Sequence, residues 1–126
     1  MKEFMLLIRN RIDSKNTFSP ERDQAFLKAC EVYIERLNKN DSLKKAQPMI
    51  REGKMVSNAG GVWNEGPFNE NEEVIVGYYH ILAKDMDEAI AIAKGNPEFE
   101  YTATARIEVR PLKMKEVTTD YIYPNR

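Results

Sequence analysis

The sequence predicts a single α+β domain in which two helices pack on one face of an antiparallel sheet. Two segments have apolar residues at helical spacing behind clear start signals, and short apolar runs between and around them are typical of strands. The resulting order, strand, helix, strand, strand, helix, strand, is the β-α-β-β-α-β order of a ferredoxin-like sandwich. At 126 residues the chain is long enough to bury a core without disulfides or metals.

The first strand and the first helix are predicted from residues 3–40. Residues 3–9 (EFMLLIR) form a short apolar run bounded by charges, which indicates a buried strand. Ser19 is the predicted N-cap of the helix, with Pro20 at its first position, and Asn38 and Asn40 suit its end. One face of this helix is apolar; it carries Phe26, Ala29, Cys30, Tyr33, Ile34 and Leu37.

The middle of the chain predicts strands joined by turns. Residues 49–56 (MIREGKMV) indicate a strand, or two strands turning at residues 52–53. The NAGG run at 58–61 allows positive φ, and NEGPF at 64–68 predicts a further turn. Residues 73–83 (EVIVGYYHILA) predict a strand that is apolar on both sides. Strict alternation places Val74, Val76, Tyr78 and Leu82 on one face, and Ile75, Tyr79 and Ile81 on the other.

The second helix has the clearest signals in the chain. Asp85 is its predicted N-cap, and Glu88 three residues later completes a capping box. Gly95 suits the position after the helix, and Pro97 stops it. Residues 103–112 alternate and predict the last strand, with Ala105, Ile107 and Val109 facing inward and Arg106, Glu108 and Arg110 facing outward.

A homodimer is predicted from the faces of the sheet. Two helices cover only one face, and the strand at 73–83 is apolar on both. An exposed patch of Met5, Leu7, Tyr79 and Ile81 would be unusual on a monomer. We therefore expect a second copy to pack sheet to sheet.

Composition narrows the class of partner and the compartment. Nineteen basic and twenty acidic residues nearly cancel, so no charge excess favours nucleic acid. The single cysteine, Cys30, fits a reducing compartment. The apolar run near the N-terminus is too short for a signal peptide, and no segment is long enough to span a membrane. We expect a soluble cytoplasmic protein with no membrane partner.

The run NEGPFNENEEVIVGYYHILAKDMDEAIAIAKGNP, followed by ARIEVRPL, resembles the YCII-related family, in particular its branch named for a DGPF motif. FMLLIR and EGKMVS precede this run in the matching order. The resemblance covers residues 1–112, so residues 113–126 are predicted as a C-terminal extension whose YIY is a candidate extra strand. This chain has Asn64 and Glu65 where the motif usually has Asp next to Gly.

The resemblance implies a dimeric α+β barrel of ferredoxin-like subunits, but no general reaction. A His-Asp pair has been proposed as the active site of some members, with its histidine on the first helix. This chain reads SPERDQAFLKAC there and has no such histidine, so we do not transfer that pair.

His80, the only histidine, is the candidate catalytic residue. It can serve as a general base, or it can be an ordinary strand residue bonded to a neighbour or to water. Cys30 lies on the apolar face of the first helix, which is typical of an inert core residue.

Arginines and aromatic residues complete the candidate site. Arg9 and Arg110 each end a strand, where an arginine can hold a carboxylate of a substrate or of Glu65. The alternative is a surface or intersubunit ion pair. The aromatic side chains that could line a pocket, or instead a core or dimer interface, are Trp63, Phe68, Tyr78 and Tyr79.

Metal and cofactor sites have little support. One histidine and one cysteine make a zinc site improbable, and Glu65, Glu70, Glu72 and Glu73 are more simply a solvated loop. No phosphate-binding glycine pattern occurs, so we predict no cofactor.

Two functions follow from the sequence. The first is a small-molecule enzyme with a cleft between the sheet and the helices and His80 as base. The alternative is a non-catalytic ligand-binding or regulatory partner protein. The predicted substrate-binding residues are Arg9, Trp63, Glu65, Phe68, Tyr78 and Arg110.

Overall fold

The computed structural model describes residues 1–67 and 73–125. Along the chain lie β1 (Lys2–Arg11), α1 (Pro20–Lys39), β2 (Leu43–Pro48), β3 (Lys54–Ala59), β4 (Val62–Pro67), β5 (Glu73–Ala83), α2 (Met86–Lys94), α3 (Glu98–Tyr101) and β6 (Arg106–Pro111). The main sheet has the order β2-β5-β1-β6 with antiparallel neighbours, and β3 pairs with β4 in a separate hairpin. The predicted α+β, ferredoxin-like fold is confirmed, and the sheet of the described chain is open rather than closed into a barrel.

Both long helices begin at the residues that the sequence predicts. The Ser19 hydroxyl accepts a hydrogen bond from the Arg22 backbone N–H at 3.1 Å, and Asn40 is the C-cap of α1. The Asp85 carboxylate accepts from the Glu88 N–H at 2.9 Å, which caps α2. None of the helices in the described parts of the chain is long and apolar enough to cross a membrane.

The core lies between the helices and one face of the main sheet. From β1 it takes Phe4, Leu6 and Ile8, whose side chains alternate with less buried neighbours. Tyr33 of α1 packs edge-on against Tyr79 of β5 with ring centroids 5.3 Å apart. The Tyr33 hydroxyl donates to the Ile92 carbonyl at 2.6 Å and so ties α1 to α2. The core members from β5 and the helices include Val74, Val76, Tyr79, Ile81, Ala83, Leu37, Ala89 and Ala93.

A β-bulge in β5 corrects the predicted assignment of its faces. Ile8 pairs with Gly77 and Arg9 pairs with Ile75, so Val76 is one residue extra on β5. An extra residue shifts the alternation, and Val74 and Val76 therefore share the core face with the residues beyond the bulge.

The prediction that Met5, Leu7, Tyr79 and Ile81 form one exposed patch was therefore wrong. Tyr79 and Ile81 are buried against Leu6 and Phe4 in the core. Met5 and Leu7 lie on the other side of the sheet, opposite His80 and Tyr78. We call that side, away from the helices, the open face.

Two segments in the middle of the chain differ from the prediction. Instead of one or two strands over residues 49–56, the chain forms β2 before them at the sheet edge and β3, which begins at Lys54. Gly60 and Gly61 adopt the expected positive φ and turn the chain between β3 and β4. The predicted turn at 64–68 was wrong, because Gly66 and Pro67 belong to β4 and pair with Met55 and Lys54.

Gly95 follows α2 directly, as expected, and its φ of −82° is one that any residue can adopt, so no left-handed glycine is needed there. In the C-terminal segment, Ile122 forms only an isolated bridge with Lys115 instead of a strand.

Candidate functional site

A cleft with a volume of about 330 Å³ lies between α1 and the main sheet. Its walls are mostly apolar, because α1 and the strands turn core-type side chains toward each other here. Val76 and Gly77, at the bulge, both line the cleft. Other apolar wall residues are Ile8, Phe26, Leu27, Ile34, Ala46 and Pro48.

An ion pair forms the polar part of the cleft wall. The Lys15 ammonium lies 2.9 Å from Oε1 of Glu98, and the Glu98 residue is only 4% exposed. Lys15 comes from the loop after β1, where its φ is +76°, and its ammonium lies 4.0 Å from the centroid of the Phe26 ring. Because the carboxylate is buried, this pairing is what makes its charge tolerable.

Asn10 supports that ion pair from behind. Its Nδ2 donates to Oε2 of Glu98 at 2.7 Å and to the Thr102 hydroxyl at 2.9 Å. Its Oδ1 accepts from the Arg11 backbone N–H at 2.8 Å and from the Thr104 hydroxyl at 2.7 Å. Asn10 is fully buried, so these bonds join β1 to α3 and to the segment that leads into β6.

Asn96 is the least satisfied polar residue of the cleft wall. It is 4% exposed, and its Oδ1 accepts from the Glu98 backbone N–H at 2.8 Å, which fixes the orientation of the amide. Among the described residues, its Nδ2 has no hydrogen-bond partner. A buried amide N–H₂ without an acceptor costs free energy, so this group is available to a bound acceptor.

Cys30 lines the cleft from α1 but is poorly suited to nucleophilic attack. Burial, assisted by the charge of Glu98 and opposed by Lys15, raises the pKa of its thiol to about 11. The reactive thiolate is therefore scarce at neutral pH. Across the cleft, burial likewise raises the pKa of Tyr79.

His80 lies on the open face, on the other side of the sheet from the cleft. It is 6% exposed, and its Nε2 is 2.7 Å from Oε1 of Glu3. The same oxygen accepts from Lys44 at 3.2 Å and from Asn125 of the C-terminal segment at 2.6 Å. Burial alone would raise the pKa of Glu3, but these three hydrogen bonds outweigh it and lower that pKa. The catalytic role of His80 stays a prediction.

The two predicted arginines also lie on the open face, where both contact one carboxylate. Arg9 approaches Oε1 of Glu108 at 3.2 Å, and Arg110 approaches Oε2 of the same residue at 3.7 Å. This is the surface ion pair that the sequence offered as the alternative to substrate binding.

The remaining predicted site residues are spread over the molecule. Trp63 and Glu65 lie on the β3–β4 hairpin, where Trp63 is 71% exposed and Glu65 is 3.9 Å from Lys54. Phe68 lies outside the described residues. Tyr78 pairs with Leu7 on the open face, and because it lies next to the bulge it also borders the cleft. Of the predicted residues that the structure describes, Tyr78 and Tyr79 contribute to the cleft wall.

Sequence reasoning missed the polar residues of the cleft. Lys15 was part of a polar loop, and Asn96 and Glu98 followed the end of a helix. None belongs to a motif, and they meet only because the loop after β1 and the turn after α2 lie side by side in the fold. A charged residue directly after the helix-ending Pro97 was the single available signal. No group of three His, Cys, Asp or Glu residues in the described ranges could hold a metal ion.

A comparison with models of protein families shows to which family the chain belongs. The model of the YCII-related domain matches residues 2–113. The chain belongs to the YCII-related family. The match spans every strand and helix of the fold and all the cleft residues, and it ends before the C-terminal segment that reaches Glu3. No curated protein matches the sequence. Membership in the YCII-related family agrees with the α+β fold and leaves the reaction and ligand unassigned.

Proposed function

We propose that this YCII-related protein binds a small organic molecule in the cleft between α1 and the sheet, as a non-catalytic ligand-binding protein. The cleft itself carries the proposal. Its volume of about 330 Å³ is at the small end of ligand sites, and its apolar walls with a few polar groups are typical of them.

The chemistry of the wall favours binding over catalysis. Cys30 has its pKa raised to about 11, and Glu98 is held by Lys15 and Asn10. The only histidine of the chain, His80, is bonded to Glu3 on the open face. An enzyme that uses His80 as its base would therefore need a second site on the open face.

A thermal-shift screen of small metabolites on three proteins tests the proposal. In Cys30→Phe, a ring fills the cleft from α1; in His80→Ala, the open face is changed and the cleft is left intact. We expect hits on the wild type that persist in His80→Ala and disappear in Cys30→Phe. No hits, or hits lost in His80→Ala and kept in Cys30→Phe, would contradict the cleft as the binding site. The midpoint of each protein without ligand controls for folding.

We also propose that the protein is a homodimer that packs through the open face. Met5, Leu7, Tyr78 and Leu82 are only partly buried there in one chain, which supports cover by a second copy. Two such open sheets packed face to face would make an α+β barrel. Light scattering at micromolar concentration should give the mass of two chains for the wild type and of one chain for Leu7→Glu. A wild-type mass of one chain would refute the dimer.

A further inference from the structure

We infer that the ligand of the cleft is an uncharged molecule with a small apolar body and a hydrogen-bond-accepting oxygen, such as a ketone, ester or amide carbonyl. This inference rests on the proposed function, since it concerns the occupant of the same cleft. It is carried by three features of the wall: the donor of Asn96, which has no partner in residues 1–67 and 73–125, the balance of charge around Lys15, and the size of the cleft.

The donor of Asn96 sets the need for an acceptor. Its Nδ2 is buried and without a partner among the described residues, whereas its Oδ1 is already occupied by the Glu98 N–H at 2.8 Å. The amide cannot be flipped without breaking that bond, so the group of this wall residue that still needs a partner is its N–H₂ donor. A carbonyl oxygen supplies the missing acceptor, and an ammonium group does not.

The charges of the wall favour a neutral molecule. Lys15 is already paired with Glu98 at 2.9 Å, and the other carboxylate of the wall, Glu31, is exposed and lies 3.6 Å from Lys28. An anionic ligand would meet a cation whose charge is taken and the buried carboxylate of Glu98. Burying an unpaired anion there costs more than a hydrogen bond to Asn96 returns.

The size of the cleft limits the apolar body. A volume of about 330 Å³ holds roughly ten non-hydrogen atoms, if each takes the ~30 Å³ of one water molecule. An aromatic ring or a short branched chain with one carbonyl fits this size. The ring of Phe26 and the side chains of Ile8 and Val76 provide its apolar contacts.

Three probes with the same number of non-hydrogen atoms test the inference on the full chain. Isopropylbenzene has no acceptor, acetophenone has a neutral acceptor, and benzoate has an anionic one. Each is titrated into ¹⁵N-labelled protein, and the dissociation constant is taken from amide shifts of cleft residues. We expect acetophenone to bind about tenfold more tightly than isopropylbenzene, because it satisfies a buried donor. It should also shift the side-chain amide signals of Asn96 and bind more tightly than benzoate.

Asn96→Asp is the matched variant. It keeps an oxygen to accept the Glu98 N–H and replaces the N–H₂ group with a second oxygen. The preference for acetophenone over isopropylbenzene should disappear in this variant. The wild-type series needs no variant, so the test stands even if Asn96→Asp does not fold.

The outcomes separate this inference from the proposed function. Equal binding of acetophenone and isopropylbenzene in the cleft would overturn the need for an acceptor and leave the cleft as a binding site. Tighter binding of benzoate than of acetophenone would overturn the neutral class. No binding of any probe in the cleft would contradict the proposed function itself.

Discussion

Replacing Asn10 with alanine is expected to cost this protein far more stability than an ordinary polar substitution. Asn10 is fully buried and uses both its donor and its acceptor, with Glu98 as its most important partner. It joins β1, the first strand, to α3 and to the start of β6 near the end of the domain. The variant removes this connection without adding bulk.

The size of the effect follows from the bonds that are lost. The bond to the Glu98 carboxylate is charge-assisted and is worth about 1.5–3 kcal/mol. Of the neutral bonds, that to Thr104 is the least costly because Thr104 is exposed and can bond to water instead. Each neutral bond adds about 0.5–1 kcal/mol. We therefore expect the free energy of unfolding to fall by about 3–6 kcal/mol, or the Tm by roughly 10–25 °C.

Urea denaturation followed by circular dichroism measures this loss. Thr104→Val is the matched control, since it removes one bond of the same network at an exposed residue, and it should cost less than about 1 kcal/mol. A loss under about 1 kcal/mol for Asn10→Ala would refute the reasoning, because water would then replace the network at no net cost. The polar wall of the cleft would not depend on Asn10 in that case.

Three further predictions test other parts of the molecule. Iodoacetamide should alkylate Cys30 of the folded protein with a midpoint near pH 11. At pH 8 the folded protein should therefore react about 100-fold more slowly than the chain in urea. A midpoint near 9.0, the ordinary pKa of the thiol, would contradict this. Gly77→Ala places a methyl group 3.0 Å from the backbone of β2 and should lower the free energy of unfolding by about 1–3 kcal/mol. Gly66→Ala is the control, because a methyl group there meets nothing within 4 Å. Equal urea midpoints for the two variants would disprove the contact. The lowered pKa of Glu3 gives stability that is present above pH 4.5 and lost as the pH falls through the folded-state pKa. Glu3→Gln should therefore lose less stability between about pH 5 and pH 3 than the wild type. Parallel curves of unfolding free energy against pH for the two proteins would argue against this.

Local chemistry made much of the fold predictable. The caps at Ser19 and Asp85 were correct because a short polar side chain bonds the free N–H groups of the helix that it precedes. The inward positions of Ile107 and Val109 on β6 were correct because alternation along a regular strand needs no partner to define it.

Neighbouring residues along the chain were not enough to predict the bulge in β5 or the strand β2. The bulge at Val76 depends on how many residues of β5 face β1, and that number is set by pairing between segments far apart in the chain. The β2 strand is an edge strand with few buried residues, so its pattern carries little signal.

The sequence by itself determined the α+β class, the family and the starts of α1 and α2, because each depends on residues that are neighbours along the chain. Only the tertiary structure decided the candidate site. It shows that Lys15, Asn96 and Glu98 lie together in one cleft. His80, Arg9 and Arg110 lie on the opposite side of the sheet. The physical reason is that a site forms from distant segments, and the side of a strand on which a residue lies changes with a single extra residue.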